Sequence, residues 1–167
     1  MNSVKFLALG LAVALCQNIN AETAIGVGPR VYKTIDSLPK QFDESGLGGA
    51  IDVTVGLSEW LSGQVGLAVF GDGYAGSEEE VLSPQALLLV GQDLYAGVGV
   101  GILYSDADLA DSPFPIIRAG GKFGLTEGID LDLSLSYELG NWEGVNDFDE
   151  DEESDVLVAA FTLRFGL

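Results

Sequence analysis

The sequence predicts an all-β chain: an eight-stranded, antiparallel, up-and-down transmembrane β-barrel. Three observations predict it. The last stretch alternates to its final residue, with Leu157, Ala159, Phe161, Leu163, Phe165 and Leu167 on one parity and Val158, Ala160, Thr162, Arg164 and Gly166 on the other. Such period-2 alternation sets one face against something oily and the other face away from it. An export signal precedes the strands, and the connections between them alternate between short and long. A long apolar strand left bare at an edge invites aggregation; a closed barrel removes that edge by pairing the last strand with the first.

The first element is a targeting segment. Met1 to Lys5 forms a short, positively charged start, and Phe6 to Cys16 an apolar run too short to span a bilayer. Ile19-Asn20-Ala21 is an acceptable small-residue cleavage site, so residues 1–21 read as a Sec-type signal peptide and residues 22–167 as one barrel domain. The rival reading is a lipoprotein leader cut before Cys16, where Leu15 stands in place of the small residue such a site wants. Cleavage after Ala21 removes the only cysteine, so disulfides play no part in the mature domain.

Composition agrees. Mean hydropathy is positive although the formal net charge is −19. After the leader, no stretch is long and apolar enough for a transmembrane helix, which leaves strands to carry the apolar character.

Eight strand candidates follow, at 24–32, 46–57, 61–70, 81–90, 94–104, 115–125, 129–139 and 155–167. Three connections are tight: Ser58-Glu59-Trp60, Gly91-Gln92-Asp93 and Thr126-Glu127-Gly128. Four are longer and polar, at 33–45, 71–80, 105–114 and 140–154. In outer-membrane barrels the short turns are periplasmic and the long loops extracellular, and an even strand number leaves both ends of the domain on the periplasmic side.

The tight turns predict register. As three-residue loops they set Leu57 opposite Leu61, Val90 opposite Leu94 and Leu125 opposite Ile129. Carried along the strands, Val53 then meets Val65, Ile51 meets Leu67 and Phe123 meets Leu131 on the apolar face, while Lys122 falls opposite Asp132 on the other.

A soluble barrel with its oily face inside would share the apolar pattern, so the second face decides. Strand five carries Gly97, Gly99 and Gly101 there, against Leu87 and Gln85. Glycines opposite larger residues suit the crowded interior of an eight-stranded barrel. Arg30, Arg118, Lys122 and Arg164 fall on that same face, with Asp52, Asp130, Asp132 and Glu138. Enclosed charges need partners because desolvation is costly, so this set is expected to form a paired internal network, with Lys122 and Asp132 in direct contact. Strand four is less decisive, since Leu87 to Val90 are apolar on both parities.

Phe70, Tyr104, Tyr137 and Trp142 lie toward the long-loop ends and Trp60, Phe123 and Phe165 toward the short-turn ends, the placing of interfacial girdles. The alternative is ordinary core aromatics.

At this point the chain resembles the small eight-stranded outer-membrane barrels of the OmpX and OmpA-barrel type, through the layout of its strands and loops. The sharpest element is the terminal Phe161-x-Leu163-x-Phe165-x-Leu167, similar to the terminal strand signal that the barrel-assembly machinery reads in that family. The family usually ends in phenylalanine, where this chain has Leu167. The resemblance implies insertion by that machinery into a membrane of outer-membrane lipids and lipopolysaccharide, as a monomer.

The chemistry on offer is narrow. There is no histidine, so no serine–histidine or cysteine–histidine pair can be assembled, and the lipid-modifying enzymes with small barrels rely on one. Asp130 and Asp132 share a face and leave carboxylate-only catalysis open, against the simpler reading of internal salt bridging. No phosphate-binding glycine loop or zinc-ligand spacing is present, and no cofactor is expected. The negative charge disfavours nucleic acid. Loop four, Asp147 to Asp155, is the most acidic segment, with Glu78-Glu79-Glu80 and Asp106, Asp108 and Asp111 adding to it. Asp147, Asp149 and Asp151 have the opening spacing of a calcium loop, but Glu152 and Val158 occupy the positions where an EF-hand needs glycine and glutamate. What remains is loose divalent-cation binding at the lipopolysaccharide surface, against a solvated acidic loop.

The expected function is therefore non-enzymatic: a structural or surface-interaction role in the bacterial outer membrane. The alternative is a narrow channel or binder for small hydrophobic molecules. A lipid-modifying enzyme stands third, disfavoured by the absent histidine.

Overall fold

The computed structural model describes residues 22–35, 45–71, 74, 80–105, 108–109, 113–139 and 155–167. The leader and most of the acidic loop, including Asp147, Asp149, Asp151 and Trp142, lie outside the described residues. Eight long strands form the wall: β1 (Thr23–Thr34), β2 (Ser45–Gly56), β3 (Leu61–Phe70), β4 (Val81–Gly91), β5 (Leu94–Gly101), β8 (Phe114–Thr126), β9 (Ile129–Glu138) and β10 (Val156–Gly166). Two-residue strands β6 (Tyr104–Ser105) and β7 (Asp108–Leu109) make a small ribbon in the connection between β5 and β8. Each long strand pairs antiparallel with its neighbours in sequence, and β1 pairs with β10, so the sheet closes with no free edge. The fold is the closed, eight-stranded, all-antiparallel barrel expected.

Alternation sorts every strand into two faces. Even positions of β1, β2, β3, β8, β9 and β10, and odd positions of β4 and β5, turn inward and are largely buried. The opposite parity is apolar and exposed: Val27, Ile51, Val65, Leu88, Val98, Ile117, Leu135 and Phe161 run round the outside. A water-soluble barrel would have these faces reversed.

The inner face is filled by pairing large residues with glycine. A methyl group on Gly46 would lie 2.5 Å from the Tyr32 hydroxyl, one on Gly101 2.4 Å from the Phe114 ring, and one on Gly120 2.5 Å from the Tyr95 hydroxyl. The glycines thus leave the space that the rings occupy, as an eight-stranded lumen requires.

The registers expected from the first turn hold, with Val53 opposite Val65 and Ile51 opposite Leu67. The other two turns differ. Gly91, at φ 129°, joins the ladder and pairs with Tyr95, so the loop is Gln92-Asp93-Leu94 and Val90 faces Ala96 rather than Leu94. This moves the register by two and keeps the faces: Gly97 meets Leu89, Gly99 meets Leu87 and Gly101 meets Gln85. At the third turn Phe123 faces Leu131 and Lys122 faces Asp132, but the register slips by one beyond Gly124, so Ile129 pairs with Thr126 instead of Leu125. Gly128 at φ 78° takes the left-handed position that such a bulged hairpin needs. Strand five also ends earlier than expected, at Gly101 rather than 104.

Candidate functional site

The lumen holds the polar residues that the sequence set apart, and it holds them as one connected chain. Arg164 on β10 is the first link. Its Nη1 lies 2.7 Å from Asp52 Oδ1 on β2 and its Nε 2.5 Å from Asp132 Oδ2 on β9, all three groups buried. The same Nη1 donates to Thr54 Oγ1 at 2.9 Å, and Tyr95 donates its hydroxyl to Asp132 Oδ1 at 2.7 Å. One guanidinium fork thereby bridges two carboxylates from non-adjacent strands, geometry that a lysine ammonium would not reproduce.

The chain continues through amides. Gln64 Nε2 donates to Asp52 Oδ1 at 3.0 Å, and its Oε1 accepts from Arg118 Nη1 at 2.7 Å. Arg118 also donates from Nε to Ser136 Oγ at 2.7 Å and from Nη2 to Gln85 Oε1 at 3.3 Å. Gln85 Oε1 accepts in addition from Arg30 Nη1 at 2.9 Å, while its Nε2 donates to Glu138 Oε1 at 3.2 Å. The other oxygen of Glu138 accepts from the Tyr74 hydroxyl. Glutamine, with both a donor and an acceptor end, is what lets two arginines and a carboxylate meet without a direct ion pair.

Beyond this polar column the lumen is packed with rings. Phe70 stacks on Tyr74 at 3.9 Å between centroids and 5° between planes, and Tyr32 stands edge-on to both, at 5.7 Å and 5.1 Å. Ala68, Val81, Val156 and Val158 complete the cluster. Burial, and then the neighbouring Glu138 carboxylate, raise the Tyr74 hydroxyl well above the ordinary tyrosine range, so it stays a proton donor.

Six of the eight charged residues singled out from sequence (Arg30, Asp52, Arg118, Asp132, Glu138 and Arg164) are buried in the lumen. Lys122 and Asp130 are half-buried at the short-turn mouth, where they line a recess of about 860 Å³ together with Arg164. That volume admits water, so neither group needs a protein partner. The expected Lys122–Asp132 contact is not made. The two residues face each other in register, but Arg164 and Tyr95 take the carboxylate, and Lys122 Nζ sits 5.7 Å above the Tyr95 ring. Phe70, placed from sequence among the rim aromatics, points inward instead and is fully buried; Trp60, Phe123 and Phe165 are exposed on the outside. Phe161, Leu163 and Leu167 share that outer face.

Arg118 lies beside Ser136, as the inner-face register of these two strands predicts. Sequence reasoning did not single out Gln64, Thr54, Tyr95 or Tyr74. For the first three a signal exists: each has the inward parity of its strand. Tyr74 stands in a connection, where no alternation marks it.

No protein-family model and no curated protein matches the sequence. Solved structures do match in fold. Neisserial surface protein A superposes with a TM-score of 0.62 at 12% identity, over 86% of this chain and 96% of that one. The outer membrane protein OprG of Pseudomonas aeruginosa gives 0.61 at 15%, over 88% and 96%. Ail, the attachment invasion locus protein of Yersinia pestis, gives 0.55 at 15%, over 89% and 100%. At such identities the likeness is one of fold: that of the small eight-stranded outer-membrane barrels.

Proposed function

We propose that the protein is a sealed outer-membrane scaffold, a monomeric barrel that carries acidic loops at the cell surface and conducts no bulk solute. The observation that carries this reading is the pairing of an apolar outer wall with a lumen filled by hydrogen-bonded side chains. The polar column from Arg164 to Glu138 crosses the interior, and the Tyr32, Phe70 and Tyr74 rings cap it. A narrow channel for small hydrophobic molecules would need a continuous apolar bore, and the Arg164, Asp52 and Asp132 layer stands across it. Catalysis is not part of the reading, since the buried carboxylates are engaged by arginine, amide and tyrosine donors. In this reading the leader 1–21 is removed after Ala21, the assembly machinery engages Phe161, Leu163, Phe165 and Leu167, and lipopolysaccharide surrounds the long-loop end. The loop containing Asp147, Asp149 and Asp151 recruits divalent cations loosely there. Single-channel recording of the purified barrel in planar bilayers tests the sealed lumen. No steady unitary conductance is expected; a reproducible open level with each insertion would overturn the proposal.

A further inference from the structure

Tyr74 is a fully buried lumen side chain that no strand supplies. It enters from the connection between β3 and β4, yet it is buried as deeply as any residue of the wall. Its ring meets Phe70 on β3 face to face and Tyr32 on β1 edge to face, and its hydroxyl meets Glu138 on β9. Among the described residues, the walls around it belong to strands whose ladders are complete without it. Glu138 is the polar end of the space it fills. One of its carboxylate oxygens is served by Gln85, the other by Tyr74. A preformed apolar slot with one convergent polar group is the general form of a small-molecule site.

We propose that this slot is a binding site for neutral phenols, and that Tyr74 occupies it as a tethered internal ligand. The ring selects a flat six-membered aromatic through the Phe70 stack and the Tyr32 edge. The free Glu138 oxygen selects a hydroxyl donor, because a ring without one leaves a buried carboxylate oxygen unserved, a loss worth about tenfold to a hundredfold in affinity.

The test uses p-cresol, which is the tyrosine side chain cut free of the backbone, and toluene, which lacks the hydroxyl. In the Tyr74→Ala barrel, p-cresol is expected to bind and to raise the unfolding midpoint, with toluene at least about tenfold weaker. In the unsubstituted protein the affinity for p-cresol should be at least about tenfold lower than in Tyr74→Ala, because the resident ring must first leave. If Tyr74→Ala does not fold alone, refolding with p-cresol should restore the heat-modifiable form on gels and refolding with toluene should not. The proposal is overturned by equal binding of the two probes, by equal p-cresol affinity with and without Tyr74, or by failure of p-cresol either to bind or to rescue.

Discussion

At the scale of single residues, Arg164 is where the lumen is most exposed to damage. Two buried carboxylates, Asp52 and Asp132, depend on its guanidinium. Removing one member of a buried ionic set leaves uncompensated charge, at about 3–5 kcal/mol, whereas removing all charges together is often neutral. Arg164→Met is therefore expected to destabilise the barrel by that amount, and the triple change with Asp52→Asn and Asp132→Asn to recover most of it. Urea unfolding in lipid measures both. Lys122 provides the contrast. It faces Asp132 in register without touching it, so Lys122→Met should cost no more than about 1 kcal/mol, and a double-mutant cycle should show coupling of Asp132 to Arg164 well above its coupling to Lys122. The facing of Lys122 and Asp132 was legible from turn length alone. Which cation takes the carboxylate was not, because register sets Arg164 opposite Asp130 and only diagonal to Asp132, while Asp52 reaches the same guanidinium from β2, across the intervening β1.

At the scale of elements, the seam between β1 and β10 closes the barrel and is built on one close approach. The ladder runs from Ala24↔Gly166 to Val27↔Leu163, skips Gly28 and Pro29, and resumes at Arg30↔Ala160. Pro29 has no N–H to give, and the backbone at Gly28 comes so near β10 that a methyl group there would lie 1.9 Å from the Phe161 carbonyl oxygen. Neither partner of that contact is a flexible side chain that could move aside. Gly28→Ala is thus expected to part the two strands and cost at least about 1–3 kcal/mol, seen as a lower yield of the heat-modifiable form. Gly63→Ala, on the outer face with its nearest neighbour a Leu57 methyl at 3.7 Å, should change stability by no more than about 0.5 kcal/mol. Strand existence and parity were readable because period-2 alternation is a strong local signal. The register of β4 with β5 and the pairing nearest the third turn were not, because they hang on the left-handed conformations of Gly91 and Gly128, which alternation does not encode. Tyr74 escaped for a related reason: a residue in a connection has no periodic context, and only the closed barrel brings it to Phe70 and Glu138.

At the scale of the whole molecule, the defining property is that inside and outside are exchanged relative to a protein that folds in water. The outer face keeps Val98 and Trp60 equally exposed, at 61% each, although they differ in position: Val98 lies within β5, and Trp60 sits in the turn between β2 and β3. In water, exchanging either for arginine would be close to neutral, since an exposed apolar side chain contributes little. In a bilayer the same exchange is graded by depth, because a cation near the midplane has lost its hydration, whereas one near the interface has not. Val98→Arg is therefore expected to cost about 2–4 kcal/mol and Trp60→Arg about 0–1 kcal/mol, measured by urea unfolding in lipid vesicles. The matched exposure makes the comparison clean, because burial against protein does not separate the two sites. A steep difference in that order means the apolar belt faces hydrocarbon, with the β2–β3 turn at its edge. Equal and negligible costs would mean that the outer face meets water or another protein, and the barrel would then have to be read as a soluble one.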